Sequence, residues 1–191
     1  KVVDTPEKIM RARSLVLPGV GAFENGMKAL RKMNLVNPIK EAVNGGTPLL
    51  GICLGMQMLF SESEEFGLHK GLDFISGRVV TLNKPTKTDD NAYKLPHIGW
   101  NSLHNTDGSR PDQWSNTLLK NTTPGENVYF VHTYFPVPED KDSVVAMTKY
   151  GGQEFCVVVK KDNITATQFH PEKSGKVGLE MLKCFCEDYN I

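Results

Sequence analysis

The sequence predicts an α/β fold in which a mostly parallel sheet is covered by helices on both faces. Three observations carry this. Short, wholly apolar runs alternate with stripes at helical spacing between residues 15 and 60, the pattern of strands buried on both faces and joined by crossover helices. Strand-length segments rich in β-branched and aromatic residues then fill residues 78 to 169, and an amphipathic helix closes the chain.

Taken in order, Val2 and Val3 suggest a scrap of strand, and Leu15, Val16 and Leu17 a buried one ended by Pro18 and Gly19. Phe23, Met27 and Leu30 form a stripe at spacings of four and three. Pro38 suits the first turn of a second helix with Ile39 and Val43 on one face and Gly45-Gly46 as its stop. Residues 49 to 52 form another buried strand, after which Met56, Leu59 and Phe60 continue as a helix face. Residues 78–82, 128–134, 144–150, 155–160 and 164–169 read as strands, with Asp162-Asn163 as a hairpin turn. Residues 83 to 93 form a polar loop, and a helix over 174–190, capped by Ser174, carries Val177, Met181, Leu182 and Phe185 on its apolar side. Nothing divides residues 1–191 into more than one domain. The chain opens near what reads as the second strand of a doubly wound sheet, so a first strand and helix are expected to be missing.

Composition narrows the function. Hydrophobic residues make up 39% and charged residues 23% of the chain, as in ordinary globular proteins. Twenty-two basic residues balance 22 acidic ones, so there is no electrostatic footprint for nucleic acid or an anionic membrane. No apolar stretch approaches the ~20 residues that span a bilayer, and no signal-peptide core is present; a cytoplasmic protein is expected. The four cysteines, at 53, 156, 184 and 186, show no CxxC pairing, so neither a metal site nor a disulfide framework is indicated.

Chemistry concentrates in two places. Gly51-Ile52-Cys53-Leu54-Gly55 fits G-x-C-x-G, the thiol form of a nucleophile elbow, in which the glycines let the chain reverse tightly from strand to helix. A helix N-terminus there favours thiolate over thiol, and the Leu54 N–H points toward a developing oxyanion. The bland alternative is a small buried hydrophobe. Of the five histidines, His69, His97, His104 and His132 have no carboxylate in a fixed local frame, and His132, within an aromatic strand, suits a packed core residue. His170 follows the end of a strand in TATQFHPEKSG, with Glu172 two residues on to fix its tautomer. Alone, that stretch reads better as a surface turn.

Together, LPGVGAF at 17–23, GICLGMQ at 51–57, PHIGWN at 96–101, YFVHTY at 129–134 and ATQFHPEKS at 166–174 resemble the class I (triad) glutamine amidotransferases. Within that class the chain is similar to the glutaminase subunits of imidazole glycerol phosphate synthase. The resemblance implies a flavodoxin-like three-layer sandwich and a Cys53, His170 and Glu172 triad that hydrolyses L-glutamine through a γ-glutamyl thioester. It implies oxyanion positions at Val20, Gly21 and Leu54, and substrate positions at Gln57, Glu65, His132, Thr133 and Tyr134, with Glu65 meeting the α-ammonium. No cofactor and no metal are implied. The ammonia is expected to pass to a separate (β/α)8-barrel cyclase subunit, docked against His97, Ile98, Gly99, Trp100, Asn101, Tyr129 and Lys173. Three other readings stay open: a paralogue aminating surface-sugar precursors, a γ-glutamyl hydrolase or cysteine peptidase of similar fold, and a silent interaction subunit. The last fits poorly with a chain that keeps Cys53, His170 and Glu172.

Overall fold

A computed structural model describes residues 1–84, 93–106 and 113–191. In chain order the first half comprises α1 (Pro6–Met10), β1 (Leu15–Gly19), α2 (Phe23–Lys32), α3 (Val36–Asn44), β2 (Leu49–Cys53), α4 (Leu54–Met58), β3 (Phe60–Ser63), β4 (His69–Lys70) and β5 (Ile75–Thr81). The second half comprises β6 (His97–Ser102), β7 (Asn127–His132), β8 (Tyr134–Pro138), β9 (Val144–Tyr150), β10 (Gln153–Lys161), β11 (Ile164–Thr167) and α5 (Gly175–Asp188), with short 3-10 turns at Lys141–Ser143 and Pro171–Lys173.

The principal sheet has the order β1-β2-β11-β10-β9. β2 lies between β1 and β11, parallel to both, and all five of its residues are buried. That placement explains why LLGIC is an unbroken apolar run: both faces and both edges are covered. β10 and β9 extend the sheet antiparallel, through the expected hairpin at Asp162-Asn163, where Asp162 takes φ 52°. Leu49 points into one apolar cluster with Phe23, Met27 and Ile39, whereas Leu50 points into another with Phe130, Phe155 and Met181. The sheet thus separates two cores, which is the three-layer arrangement predicted. A four-stranded sheet, β4-β3-β5-β8, and a β6-β7 ribbon complete the strands among the described residues.

Several local expectations need correction. Val2 and Val3 form no strand, and Val2 is almost fully exposed. The helix after Cys53 ends at Met58, because the Phe60 backbone is claimed by β5: Phe60 pairs with Ile75, while the Phe74 and Ile75 N–H groups both donate to Leu59 O. The apolar spacing of Met56, Leu59 and Phe60 therefore reflects burial in one core and not a continuous helix. The strand expected at 128–134 breaks at Thr133, where the chain passes from the β6-β7 ribbon to pair β8 with β5. Ser174 does not cap α5 through its side chain; its hydroxyl donates to His170 O and accepts from Tyr129 N–H. α1, opened by Thr5 with Pro6 in its first turn, and β6 stand where the sequence predicts no element. Most of the polar loop at 83–93 lies outside the described residues.

Candidate active site

The carboxyl ends of the parallel strands β1, β2 and β11 lie side by side, with Gly19 opposite Cys53 and Thr167 opposite Ile52. Whatever follows each strand is therefore gathered at one edge: Val20 and Gly21 after β1, Cys53 at the end of β2, and Gln168 to Glu172 after β11. This is where open α/β sheets hold their ligands.

Cys53 itself adopts φ 54° and ψ −110°, a strained conformation for a residue with a side chain. The glycines explain how it is reached. A Cβ on Gly55 would lie 1.7 Å from Leu17 O, so only glycine lets α4 leave so close to β1; on Gly51 a Cβ would press on Leu59, Ala166 and Met56 at 3.0–3.1 Å. The elbow is accordingly a built feature. Its thiol, however, is not the ready thiolate expected. Burial, helped by the nearby Glu172 charge, pushes the Cys53 thiol up to about 11 against the smaller opposing pull of the Leu54 N–H, Lys173 and Gln168. A helix of five residues supplies little dipole against that desolvation. The resting sulfur donates to Val131 O at 3.8 Å and accepts from Gln168 Nε2 at 3.7 Å.

His170 is 3% exposed, and its Nδ1 lies 2.7 Å from Glu172 Oε1. The carboxylate only accepts, so Nδ1 carries the hydrogen and Nε2 is left as the basic atom. That Nε2 is buried with no hydrogen-bond partner among the described residues. The His170 backbone N–H donates to Tyr129 O, which ties the ring's position to β7. Thus the pair expected from HPE is present, and the reading of that stretch as a surface turn fails for His170, although Glu172 stays half exposed.

A cavity of about 410 Å³ opens beside the sulfur, bordered by Val20, Gly21, Cys53, Leu54, Gln57, Glu65, Phe66, His132, Thr133 and Tyr134. Every position expected to meet substrate or oxyanion lines it. Gln57 Nε2 donates to Tyr134 O at 2.9 Å and to Gln168 Oε1 at 3.0 Å. Glu65, 9% exposed, accepts from the Phe23 N–H at 2.6 Å, so the first turn of α2 holds its carboxylate at the cavity wall. Val20 is 73% exposed and Gly21 takes φ 97°, so the loop between β1 and α2 borders the mouth and turns at a glycine that needs that conformation.

His97 corrects one expectation, and His132 meets two at once. His97, expected on an outer docking surface, is buried: along β6 the residues alternate, so His97 faces inward while Ile98 and Trp100, each 57% exposed, face outward. Its ring stacks between Phe130 and Tyr150. His132, read as a core residue, is both buried and part of the cavity wall. Its Nδ1 donates to Tyr134 O at 2.9 Å; its Nε2 then accepts from His97 Nδ1 at 3.1 Å. Burial lowers His97 to about 4, and burial with the charge of its neighbours lowers His132 to about 3, so both rings are neutral. Asn101 is held by its own chain, donating to Lys149 O. His69 has no carboxylate in its local frame but meets one distant in the chain, Glu24, 3.5 Å away. Gln168, buried between Gln57 and Cys53, is a site residue that sequence reasoning misses; its only signal is an amide set between a strand end and the HPE turn.

The described residues include no cluster of potential metal ligands and no helix long and apolar enough to cross a membrane. All four cysteines are free.

Residues 3–188 match the family described as glutamine amidotransferase class-I. The chain is 49% identical over 186 residues to imidazole glycerol phosphate synthase subunit HisH 1 of Legionella pneumophila (strain Paris), covering 97% of this chain and 86% of that protein. It is 49% identical over 185 residues to subunit HisH of Syntrophotalea carbinolica, with the same coverage of both chains. Among solved structures, one titled as a glutamine amidotransferase superposes with a TM-score of 0.68 at 18% identity, covering 100% of this chain and 86% of that one. The glutaminase domain of Trypanosoma brucei CTPS with bound acivicin gives 0.58 at 16% identity, covering 95% and 74%. At such identities these structures speak for the fold.

Proposed function

Because the chain belongs to the class-I glutamine amidotransferase family, we propose that it is the glutaminase subunit of an imidazole glycerol phosphate synthase, serving histidine biosynthesis. The observation that carries this reading is the strained Cys53 elbow facing a cavity edged by Gln57 and Glu65, with the His170–Glu172 pair on the adjoining strand end.

Glutamine enters with its α-ammonium toward Glu65 and its side-chain amide at Cys53. The thiol hydrogen moves from Val131 O to His170 Nε2, leaving imidazolium held by Glu172. Sulfur attacks the amide carbon, and the developing oxyanion is met by the Leu54 N–H and a second donor from the Val20–Gly21 loop. His170 returns its proton to the departing nitrogen, which leaves as ammonia, and a γ-glutamyl thioester remains. The same ring then deprotonates water, whose attack on the thioester gives glutamate and restores the thiol. A thiol pushed up to about 11 makes His170 indispensable to the first step, since the free thiolate is scarce at neutral pH.

Ammonia released to water becomes ammonium and loses its nucleophilicity, so the acceptor is held by a docked cyclase subunit. The outer face of β6 suits that docking. Trp100 and Ile98 are exposed, Trp100 packs edge-on to Tyr129 at 6.0 Å, and Tyr129 O bonds the His170 N–H. Lys173, exposed beside Glu172, offers a charge to an acidic partner group. The site and its docking surface therefore share one strand, β7.

The test is a substrate panel of glutamine, γ-glutamyl peptides and casein, run on the chain alone and with the barrel subunit that co-purifies from its host. Glutamine turnover that rises with the barrel subunit supports the reading. Preference for γ-glutamyl peptides or casein points to a hydrolase, and a co-purifying surface-sugar enzyme to the paralogue.

A further inference from the structure

Gln168 is completely buried immediately after β11, and its neighbour Thr167 pairs with Ile52, which sets Gln168 beside Cys53. Its orientation follows from a chain of donors and acceptors. Tyr134 O can only accept, so the Gln57 atom bonded to it is Nε2; the second hydrogen of that nitrogen goes to Gln168 Oε1, and this turns Gln168 Nε2 toward the Cys53 sulfur. A backbone carbonyl thus fixes two side-chain amides in sequence.

We propose that Gln168 is a further catalytic residue of this site: its Nε2–H donor holds the Cys53 sulfur and stabilises it once its proton has left, and its Oε1 ties that sulfur to Gln57 on the cavity wall. This rests on the glutaminase reading of Cys53. The resting thiol donates to Val131 O, a contact that becomes repulsive when the sulfur is an anion. Two N–H groups act on the sulfur, those of Leu54 and Gln168. The Leu54 N–H is required at the oxyanion as the amide carbon becomes tetrahedral, which leaves Gln168 as the donor that stays with the sulfur throughout. Because the same amide accepts from Gln57, displacement of Gln57 by an ill-fitting ligand loosens the sulfur as well.

Gln168→Met keeps the length of the side chain without its donor, and Gln168→Glu keeps its shape while replacing the donor with an acceptor. The readouts are the pH profile of iodoacetamide labelling at Cys53, located by peptide mass spectrometry because Cys186 is exposed, and kcat and KM for glutamine in the assembled complex. A hydrogen bond to a charged group accounts for about 10- to 100-fold. Labelling at neutral pH is expected to fall by about that factor in the Met variant, and at least as far in the Glu variant, with kcat following and KM changing far less. Folded variants whose labelling profiles overlay the parent's overturn the proposal, as does loss of the fold in both, which assigns Gln168 a structural role. If the parent itself turns over no glutamine, the glutaminase reading fails while the labelling profiles still decide what Gln168 does to the sulfur.

Discussion

Acid should unfold this protein well before its carboxylates are exhausted, and His97 and His132 are the reason. Both rings are buried and neutral, with His132 lowered to about 3 and His97 to about 4 from an ordinary value of 6.5. The unfolded chain takes up two protons near pH 6.5 that the folded chain refuses. Groups lowered in this way contribute stability above the unfolded pKa that drains as pH falls from there toward the folded values. The slope approaches 1.4 kcal/mol per pH unit for each ring, so about 4 kcal/mol in all is lost between roughly pH 8 and pH 5. Against a typical stability of about 5–15 kcal/mol this is a large share. The assay is urea unfolding across that range, with imidazole signals followed by NMR. His97→Phe keeps the ring between Phe130 and Tyr150 but leaves His132 Nε2 without its donor. It should cost about 1–3 kcal/mol at pH 8 and halve the pH slope. Rings titrating near 6.5 in the folded protein, or a stability equal at the two ends of the range, would refute the reasoning.

Other consequences are local. Gly55→Ala forces a Cβ to 1.7 Å from Leu17 O, so it should displace α4 and abolish both activity and Cys53 labelling; near-native kinetics would mean the elbow tolerates far more than its geometry indicates. Glu172→Gln should reduce kcat less than His170→Ala, since an amide still positions the ring without stabilising its charge; equal losses would give Glu172 a different task. Trp100→Ala should weaken association with the cyclase subunit by about 2 kcal/mol or more while leaving the thermal midpoint of the isolated chain unchanged. Unaltered affinity in a pull-down or titration would move the docking surface away from β6.

The elbow was legible in the sequence because its cause is local: a thiol between two glycines, one of which no other residue can replace against Leu17 O. The His170–Glu172 pair was legible for the same reason, two residues apart with a proline between them. What the sequence hid depends on partners distant in the chain. HIGWNS is short, and its apolar residues, Ile98 and Trp100, face outward while a histidine faces in, so its alternation does not announce a core-facing strand; His97 meets His132 only because β6 and β7 pair antiparallel 35 residues apart. The run VYFVHTYF looks like one strand, since nothing in its periodicity marks Thr133 as the point where the chain changes sheets. The spacing of Met56, Leu59 and Phe60 fits a helix equally well as it fits three side chains converging on one core. Likewise, a helix start behind Cys53 argues for a thiolate until its burial, at 5% exposure, is known.

Glutamine hydrolysis here depends on Cys53 as the nucleophile that carries the γ-glutamyl group. Acid quenching of the assembled complex during glutamine turnover, followed by mass spectrometry of the peptide containing Cys53, observes that bond directly. The expected result is a γ-glutamyl thioester on Cys53 that disappears once glutamine is exhausted, and a Cys53→Ser variant that forms no adduct and releases no ammonia yet still supports synthesis from added ammonium. Glutamine turnover that persists in Cys53→Ser, with no acyl group on the parent protein, would contradict it.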